Sequence, residues 1–155
     1  MTGFTDDCSR YRVVSKAYLR KRKGEAVNSL QWALRKGRTP KRIYLDNGKQ
    51  FIAKLFKAEA KKHSIKLTYG KPHNPRGRGK IERYHRVLYQ ELISCTTFKS
   101  LSHFRRELWK FDQRYNNWRK HEPLSWQTPA SVYNNPKYFN KSNKDSTKSG
   151  QKYLH

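Results

Sequence analysis

The chain has 155 residues, of which 36 are Lys or Arg and 11 are Asp or Glu, so its formal net charge is +25. This length suits one domain with a modest core, because hydrophobic residues make up only 34%. No stretch approaches the roughly 20 apolar residues of a membrane span, and the N-terminus does not have the pattern of a secretory signal. The charge excess predicts nucleic acid as the partner, and an anionic membrane is the rival that the lack of an apolar span disfavours.

Cysteine usage points to a reducing compartment. Cys8 and Cys95 form no C-x-x-C pair, which predicts free thiols in the cytoplasm and argues against a cysteine-histidine zinc site.

The first third of the chain predicts a β-hairpin and then a helix. Residues 1–7 are expected to form a strand and a turn, and residues 11–18 the second strand. Asp6 and Asp7 lie in the turn, where such side chains bond nearby amides. Residues 25–36 have helical spacing of apolar positions, and Gly37 is the predicted stop.

A β-α-β unit follows. Residues 42–46 predict a short strand ending at Asp46, residues 50–62 a helix, and residues 65–69 another strand. The helix is expected to bury Ile52, Leu55 and Phe56. This alternation predicts parallel strands with Asp46 at a carboxyl end, where α/β folds keep their sites. Taken alone, Asp46-Asn-Gly is ordinary turn chemistry.

The stretch from Tyr69 to Arg83 combines two prolines, three glycines and many cations, which predicts a mobile basic loop. A helix should begin near Lys80, because four apolar residues then share one face: Ile81, Tyr84, Leu88 and Leu92. Glu82 lies on the first turn of this helix, away from the apolar face. The simplest interpretation of Glu82 is an ion pair with Arg86, worth only about 0.3–0.5 kcal/mol.

A long amphipathic helix is predicted beyond residue 100. Its apolar stripe, expected to pack on the core, consists of Leu101, Phe104, Leu108, Phe111, Tyr115 and Trp118. Its outward cations are Arg105, Arg106, Lys110 and Arg114. From Asn134 the chain is rich in Asn, Lys and Ser, which predicts a basic disordered tail over 134–155 after a domain over 1–133.

Three segments together resemble one known family. The sequence Leu-Asp46-Asn-Gly-Lys-Gln-Phe is followed, with 35 residues between Asp46 and Glu82, by Asn74-Pro-Arg-Gly-Arg-Gly-Lys-Ile-Glu82-Arg. Tyr115-Asn, His121, Leu124 and Gln127-Thr-Pro-Ala complete the pattern. The combination, over about residues 4–133, resembles the catalytic core of the retroviral integrase and insertion-sequence transposase superfamily.

The resemblance implies an α/β fold of the RNase H-like type, a mixed sheet with flanking helices. It also implies DNA integration or transposition by metal-dependent phosphodiester cleavage and strand transfer, using an Asp, Asp, Glu triad. Asp46 and Glu82 would be the catalytic carboxylates and the ligands of Mg²⁺ or Mn²⁺. Residues expected to contact DNA are Lys71, Asn74, Arg76, Arg78, Lys80 and Arg83.

In this family the first catalytic Asp lies on a strand upstream of the hairpin, so Asp6 and Asp7 are not expected to replace it. The chain is therefore expected to be an N-terminally truncated core that is inactive alone. Without that strand, we expect either two half-sheets with exposed edges or a hairpin that pairs with the Asp46 strand.

Partners implied besides DNA are a full-length transposase or another copy of the chain, in a bacterial-type cytoplasm and associated with the nucleoid. The alternative function is a non-catalytic basic nucleic-acid-binding protein or a regulatory transposase fragment. That alternative explains the charge but not the Asp46–Glu82 spacing.

Overall fold

The computed structural model describes residues 1–19, 23–70 and 79–137. Four strands and six α-helices alternate in it, with a π-helical turn at Tyr89–Ile93 and a 3₁₀ turn at Glu122–Leu124. The strands are β1 Thr2–Thr5, β2 Arg12–Lys16, β3 Arg42–Leu45 and β4 Lys66–Tyr69. The helices are α1 Lys23–Lys36, α2 Lys49–Ile52, α3 Lys54–Lys62, α4 Gly79–Leu88, α5 Leu101–Asn117 and α6 Pro129–Asn134. In the described part of the chain, no helix combines the length and apolarity needed to cross a bilayer.

The strands form two separate two-stranded sheets. β1 and β2 pair antiparallel with a bulge after Phe4, and β3 and β4 pair parallel in the register Arg42↔Lys66 to Leu45↔Tyr69. The predicted parallel β-α-β unit and the predicted pair of half-sheets are both present. The other expectation was wrong, because the described hairpin does not pair with the strand before Asp46.

Each half-sheet has its own core. One apolar cluster lies between α1, β3, α3 and β4, and its buried members are Ala26, Leu30, Ile43, Leu45, Phe56, Ala60 and Ile65. The second cluster, rich in aromatic residues, joins the end of the hairpin to α4 and α5 through Ala17, Tyr84, Leu88, Leu92, Leu108, Phe111 and Tyr115. Because α1 packs on the hairpin as well as on α3, it connects the two halves.

Close packing fixes the end of α1 at Gly37, as the sequence predicts. The Gly37 amide donates to the Ala33 carbonyl at 2.8 Å. A Cβ at Gly37 would lie 2.7 Å from Val13 and 3.0 Å from the Tyr133 hydroxyl. A larger residue would therefore push α1 away from the hairpin and from α6.

Two expectations about the predicted helix over 50–62 were wrong. It is broken at Ala53, whose φ of −55° and ψ of 138° are extended rather than helical. Because the break changes the helical register, Ile52 and Leu55 are 44% and 57% exposed, while Phe56 is fully buried.

The predicted stripe on α5 is correct up to Tyr115, but Trp118 is 80% exposed. The helix ends at Asn117, and Trp118 leaves the helical path with φ −121° and ψ −30°. The position that helical spacing assigns to the core is thereby turned to solvent.

Candidate metal and nucleic-acid site

Asp46 lies immediately after β3, at the carboxyl end of a parallel strand. Its Oδ1 accepts a hydrogen bond from the Gly48 amide at 2.9 Å. A Cβ at Gly48 would lie 2.8 Å from that same oxygen, so a larger residue there would displace the Asp46 carboxylate. The turn predicted for Asp-Asn-Gly is therefore present, but its hydrogen bond uses only one oxygen of the Asp46 carboxylate. The exposed Asp46 side chain retains its other oxygen for a ligand.

The loop that carries Asp46 is tied to the end of β4. The Asn47 side-chain amide donates to the Gly70 carbonyl at 3.2 Å, and the Gly70 amide donates to the Leu45 carbonyl at 2.9 Å. The parallel pairing thus continues one residue past the end of β4. Asp46 therefore lies beside the point where the chain enters the segment 71–78 that precedes α4.

Glu82 lies on the first turn of α4 and is exposed. The predicted ion pair with Arg86 does not form, since no described cation lies within 4.0 Å of the Glu82 carboxylate. The Glu82 carboxylate therefore faces solvent at the start of the helix, where a negative charge is favoured by the helix dipole.

A buried polar cluster anchors α4 two residues after Glu82. The Tyr84 hydroxyl donates to Asp112 Oδ1 at 2.5 Å and lies 3.1 Å from Ser15 Oγ. The Arg12 guanidinium lies 4.2 Å from the centre of the Tyr84 ring. Burial raises the pKa of Tyr84 above its ordinary value, so the phenol remains a proton donor. This cluster fixes the rotation of α4, and with it the direction in which Glu82 points.

Arg12 and Asp112 are charged residues inside the protein, with exposures of 2% and 7%. The Arg12 side chain donates to Ser15 Oγ at 2.8 Å and to Thr5 Oγ1 at 2.9 Å. Burial raises the pKa of the Asp112 carboxyl, and the hydrogen bond from Tyr84 opposes that rise. The sequence interpretation missed this cluster. A signal was available, because Asp112 interrupts the apolar face between Leu108 and Tyr115.

The hairpin turn contacts the start of α4 through an ion pair. Lys80 Nζ lies 2.7 Å from Asp7 Oδ1 and donates to the Asp7 carbonyl at 2.8 Å. Asp6 behaves as predicted, because its Oδ2 accepts from the amide and the hydroxyl of Ser9 at 2.8 and 2.6 Å. Asp7 differs in that its carboxylate pairs across the molecule rather than within the turn.

Of the six predicted DNA-contacting residues, Lys71, Asn74, Arg76 and Arg78 lie outside the described residues. Lys80 is half-buried and paired with Asp7, and Arg83 is exposed on α4. Burial is the main cause that lowers the pKa of His121, and the charges of Arg119, Arg83 and Arg10 lower it further.

The donor atoms at Asp46 and Glu82 are carboxylate oxygens, the ligand type that Mg²⁺ and Mn²⁺ prefer. Over residues 1–19, 23–70 and 79–137, no group of three or more His, Cys, Asp or Glu side chains is arranged to hold a metal ion. In the same ranges no hydrogen bond connects Asp46 to Glu82. The residues present fit a hard divalent ion bound by one or two carboxylates, completed by water or phosphate.

Comparison with known proteins finds a similarity to integrases over part of the chain. Residues 63–129 match the family model of the integrase core domain. This range includes Glu82 and the whole of α5, and it ends at the first residue of α6.

Two solved structures share the fold. The first is a chain in a cryo-EM structure of the simian T-cell lymphotropic virus intasome in complex with PP2A regulatory subunit B56 gamma, with TM-score 0.66 and 21% identity over 81% of the present chain. The second is the catalytic core domain of BIV integrase, with TM-score 0.63 and 20% identity over 84% of the present chain and 80% of that core. The present chain spans 45% of the intasome chain. The predicted resemblance to an integrase catalytic core, with its RNase H-like fold, is confirmed.

Proposed function

We propose that this chain is a DNA integration or transposition core in which Asp46 and Glu82 bind a divalent metal ion. The observation that carries the proposal is their placement on an integrase-type fold, one directly after a parallel strand and the other on the first turn of α4. Neither carboxylate is neutralised by a described cation. Both are exposed carboxylates, the type of ligand that a hard divalent ion prefers.

A metal bound there would supply Lewis acid chemistry at a phosphodiester. The protein's own residues would perform the remaining tasks. Asp46 and Glu82 would hold the ion, the Tyr84–Asp112 cluster would keep α4 in position, and Arg83 would contact a phosphate of the DNA. Two carboxylates suit one ion better than two, so we predict little strand cleavage by the isolated chain, even with Mg²⁺ or Mn²⁺.

The alternative function is sequence-independent binding of nucleic acid without catalysis. The charge of +25 favours it. Both functions predict an affinity for DNA that falls steeply with salt, because binding to phosphates releases counterions. Only the metal-dependent function predicts that Asp46 and Glu82 act as ligands.

Titration of Mn²⁺ into the purified chain, followed by calorimetry, separates the two functions. We expect Asp46→Asn and Glu82→Gln each to weaken Mn²⁺ binding by about tenfold or more, since even groups that only orient metal ligands are typically worth that much. The matched control is Glu122→Gln, which removes an exposed carboxylate from the 3₁₀ turn. Equal weakening by all three variants would indicate loss of general charge and would contradict the proposed site.

A further inference from the structure

A second surface lies at the end of α5 and consists of residues 118–128, here called the tryptophan loop. It exposes two large aromatic side chains, Trp118 at 80% and Trp126 at 65%. Tryptophan is largely buried on average in folded proteins. Two strongly exposed tryptophans within nine residues indicate a surface that is covered by a partner.

The backbone exposes Trp126 through an unfavourable conformation. Ser125 and Trp126 adopt consecutive left-handed conformations, with φ of 53° and 60°. This conformation is rare for bulky residues. Main-chain hydrogen bonds close the turn, from the Trp126 amide to the His121 carbonyl at 3.0 Å and from the His121 amide to the Gln127 carbonyl at 3.1 Å. The tryptophan loop is thus a fixed turn that displays an indole.

Trp118 forms one wall of a shallow, solvent-open pocket of about 360 Å³. The other residues that line the pocket are Glu91, Phe111, Arg114, Tyr115, Arg119 and Lys120. The Glu91 carboxylate already pairs with Arg119 and, at 3.8 Å, with Arg114. Three cations and one carboxylate leave the pocket with a positive charge.

Exposed aromatic faces beside an excess of cations are complementary to nucleic acid with unpaired bases, which stacks its bases on aromatic rings and places its phosphates on cations. An acidic peptide would use the cations without requiring two indoles. A second copy of the chain would bring a charge of +25 to a positive surface.

We propose that the tryptophan loop binds single-stranded nucleic acid, with Trp118 and Trp126 stacking on unpaired bases and Arg114, Arg119 and Lys120 contacting the backbone. The proposal rests on the proposed function only in taking nucleic acid as the partner. It adds a site that recognises bases, whereas the site at Asp46 and Glu82 would act on a phosphodiester.

The test is fluorescence anisotropy of the full chain with a labelled single-stranded oligonucleotide, a duplex, and an abasic strand of the same length. We expect Trp118→Ala and Trp126→Ala each to weaken binding to the intact strand by about 5-fold to 150-fold, the range typical for loss of one base stack. Binding to the abasic strand should not change. Trp118→Phe and Trp126→Phe should restore most of the affinity.

Trp109→Ala is the matched control, because Trp109 is 57% exposed on α5 but lies outside both the tryptophan loop and the pocket. Equal losses on the intact and abasic strands, or an equal loss with Trp109→Ala, would overturn the proposal. Failure of the unmodified chain to bind any of the three nucleic acids would contradict both this proposal and the proposed function, whereas binding to the duplex alone would contradict only this proposal. Comparing oligodeoxynucleotides with oligoribonucleotides then shows which of the two the stacking surface favours.

Discussion

The two halves of the molecule position their candidate carboxylates by different means. Asp46 follows from local structure, because β3 ends at Leu45 and the Asp46–Gly48 turn begins there. Glu82 depends on contacts between distant parts of the chain, since Tyr84 is held by Ser15 on the hairpin and by Asp112 on α5. The position of Asp46 is therefore encoded within a few residues, whereas the orientation of Glu82 requires the whole of the second half.

The cores differ in the same way. The half that carries Asp46 is filled by aliphatic side chains and Phe56, so its stability derives from burial of apolar area. The half that carries Glu82 encloses Arg12, Asp112 and Asn116. Asn116 bonds both the amide and the carbonyl of Arg12, at 2.8 and 2.9 Å. Buried polar groups of this kind contribute little net stability when satisfied and cost much when a partner is removed.

The largest effect on stability should come from a substitution in the apolar core of the half that carries Asp46. Phe56→Ala removes a fully buried ring, and we expect the free energy of unfolding to fall by about 3–5 kcal/mol because a cavity remains. Urea unfolding monitored by circular dichroism measures the loss. Leu55→Ala, which alters an exposed neighbour on the same helix, should change the stability by only about 0.5 kcal/mol. Similar losses in the two variants would show that α3 does not bury the face described here.

Removal of a hydrogen bond from the buried polar cluster in the other half should have an intermediate effect on stability. Tyr84→Phe keeps the ring but removes the hydroxyl that donates to Asp112, which leaves a buried carboxylate without this hydrogen bond. We expect a loss of about 1–3 kcal/mol. The matched control is Tyr89→Phe, because Tyr89 is 59% exposed. If Tyr84→Phe were as stable as the unmodified chain, the cluster could not be what fixes α4.

The half that carries Asp46 was also the easier one to predict from the sequence. Periodicity and turn residues predicted α1, its stop at Gly37, the parallel strands and the position of Asp46, because each depends on nearby sequence. The exposure of Ile52 and Leu55 could not be predicted in this way. It follows from an extended Ala53 that interrupts an otherwise helical pattern.

In the other half, helical spacing predicted α4 and the stripe on α5, but not the polar contacts between them. Arg12 and Asp112 are 100 positions apart in a cluster that only the fold assembles. Trp118 lies one residue beyond the end of α5, and a periodic pattern cannot specify where a helix stops without a capping signal.

The smallest effect should come from the ion pair that joins the hairpin turn to the start of α4. The Asp7 side chain is 70% exposed and that of Lys80 is 35% exposed, so solvent screens their attraction. A double-mutant cycle with Lys80→Gln and Asp7→Asn should give a coupling energy between 0 and about 1 kcal/mol that decreases as salt is added.

The same variants test the predicted role of Lys80 in DNA binding. Asp7→Asn should strengthen binding to duplex DNA at low salt, because it releases Lys80 toward a phosphate, and the gain should vanish when Lys80→Gln is also present. Glu59→Gln removes the same charge from a carboxylate on α3 that lies outside both proposed sites and does not contact Lys80. An equal gain in that variant would reduce the effect to net charge and contradict a specific role of Lys80.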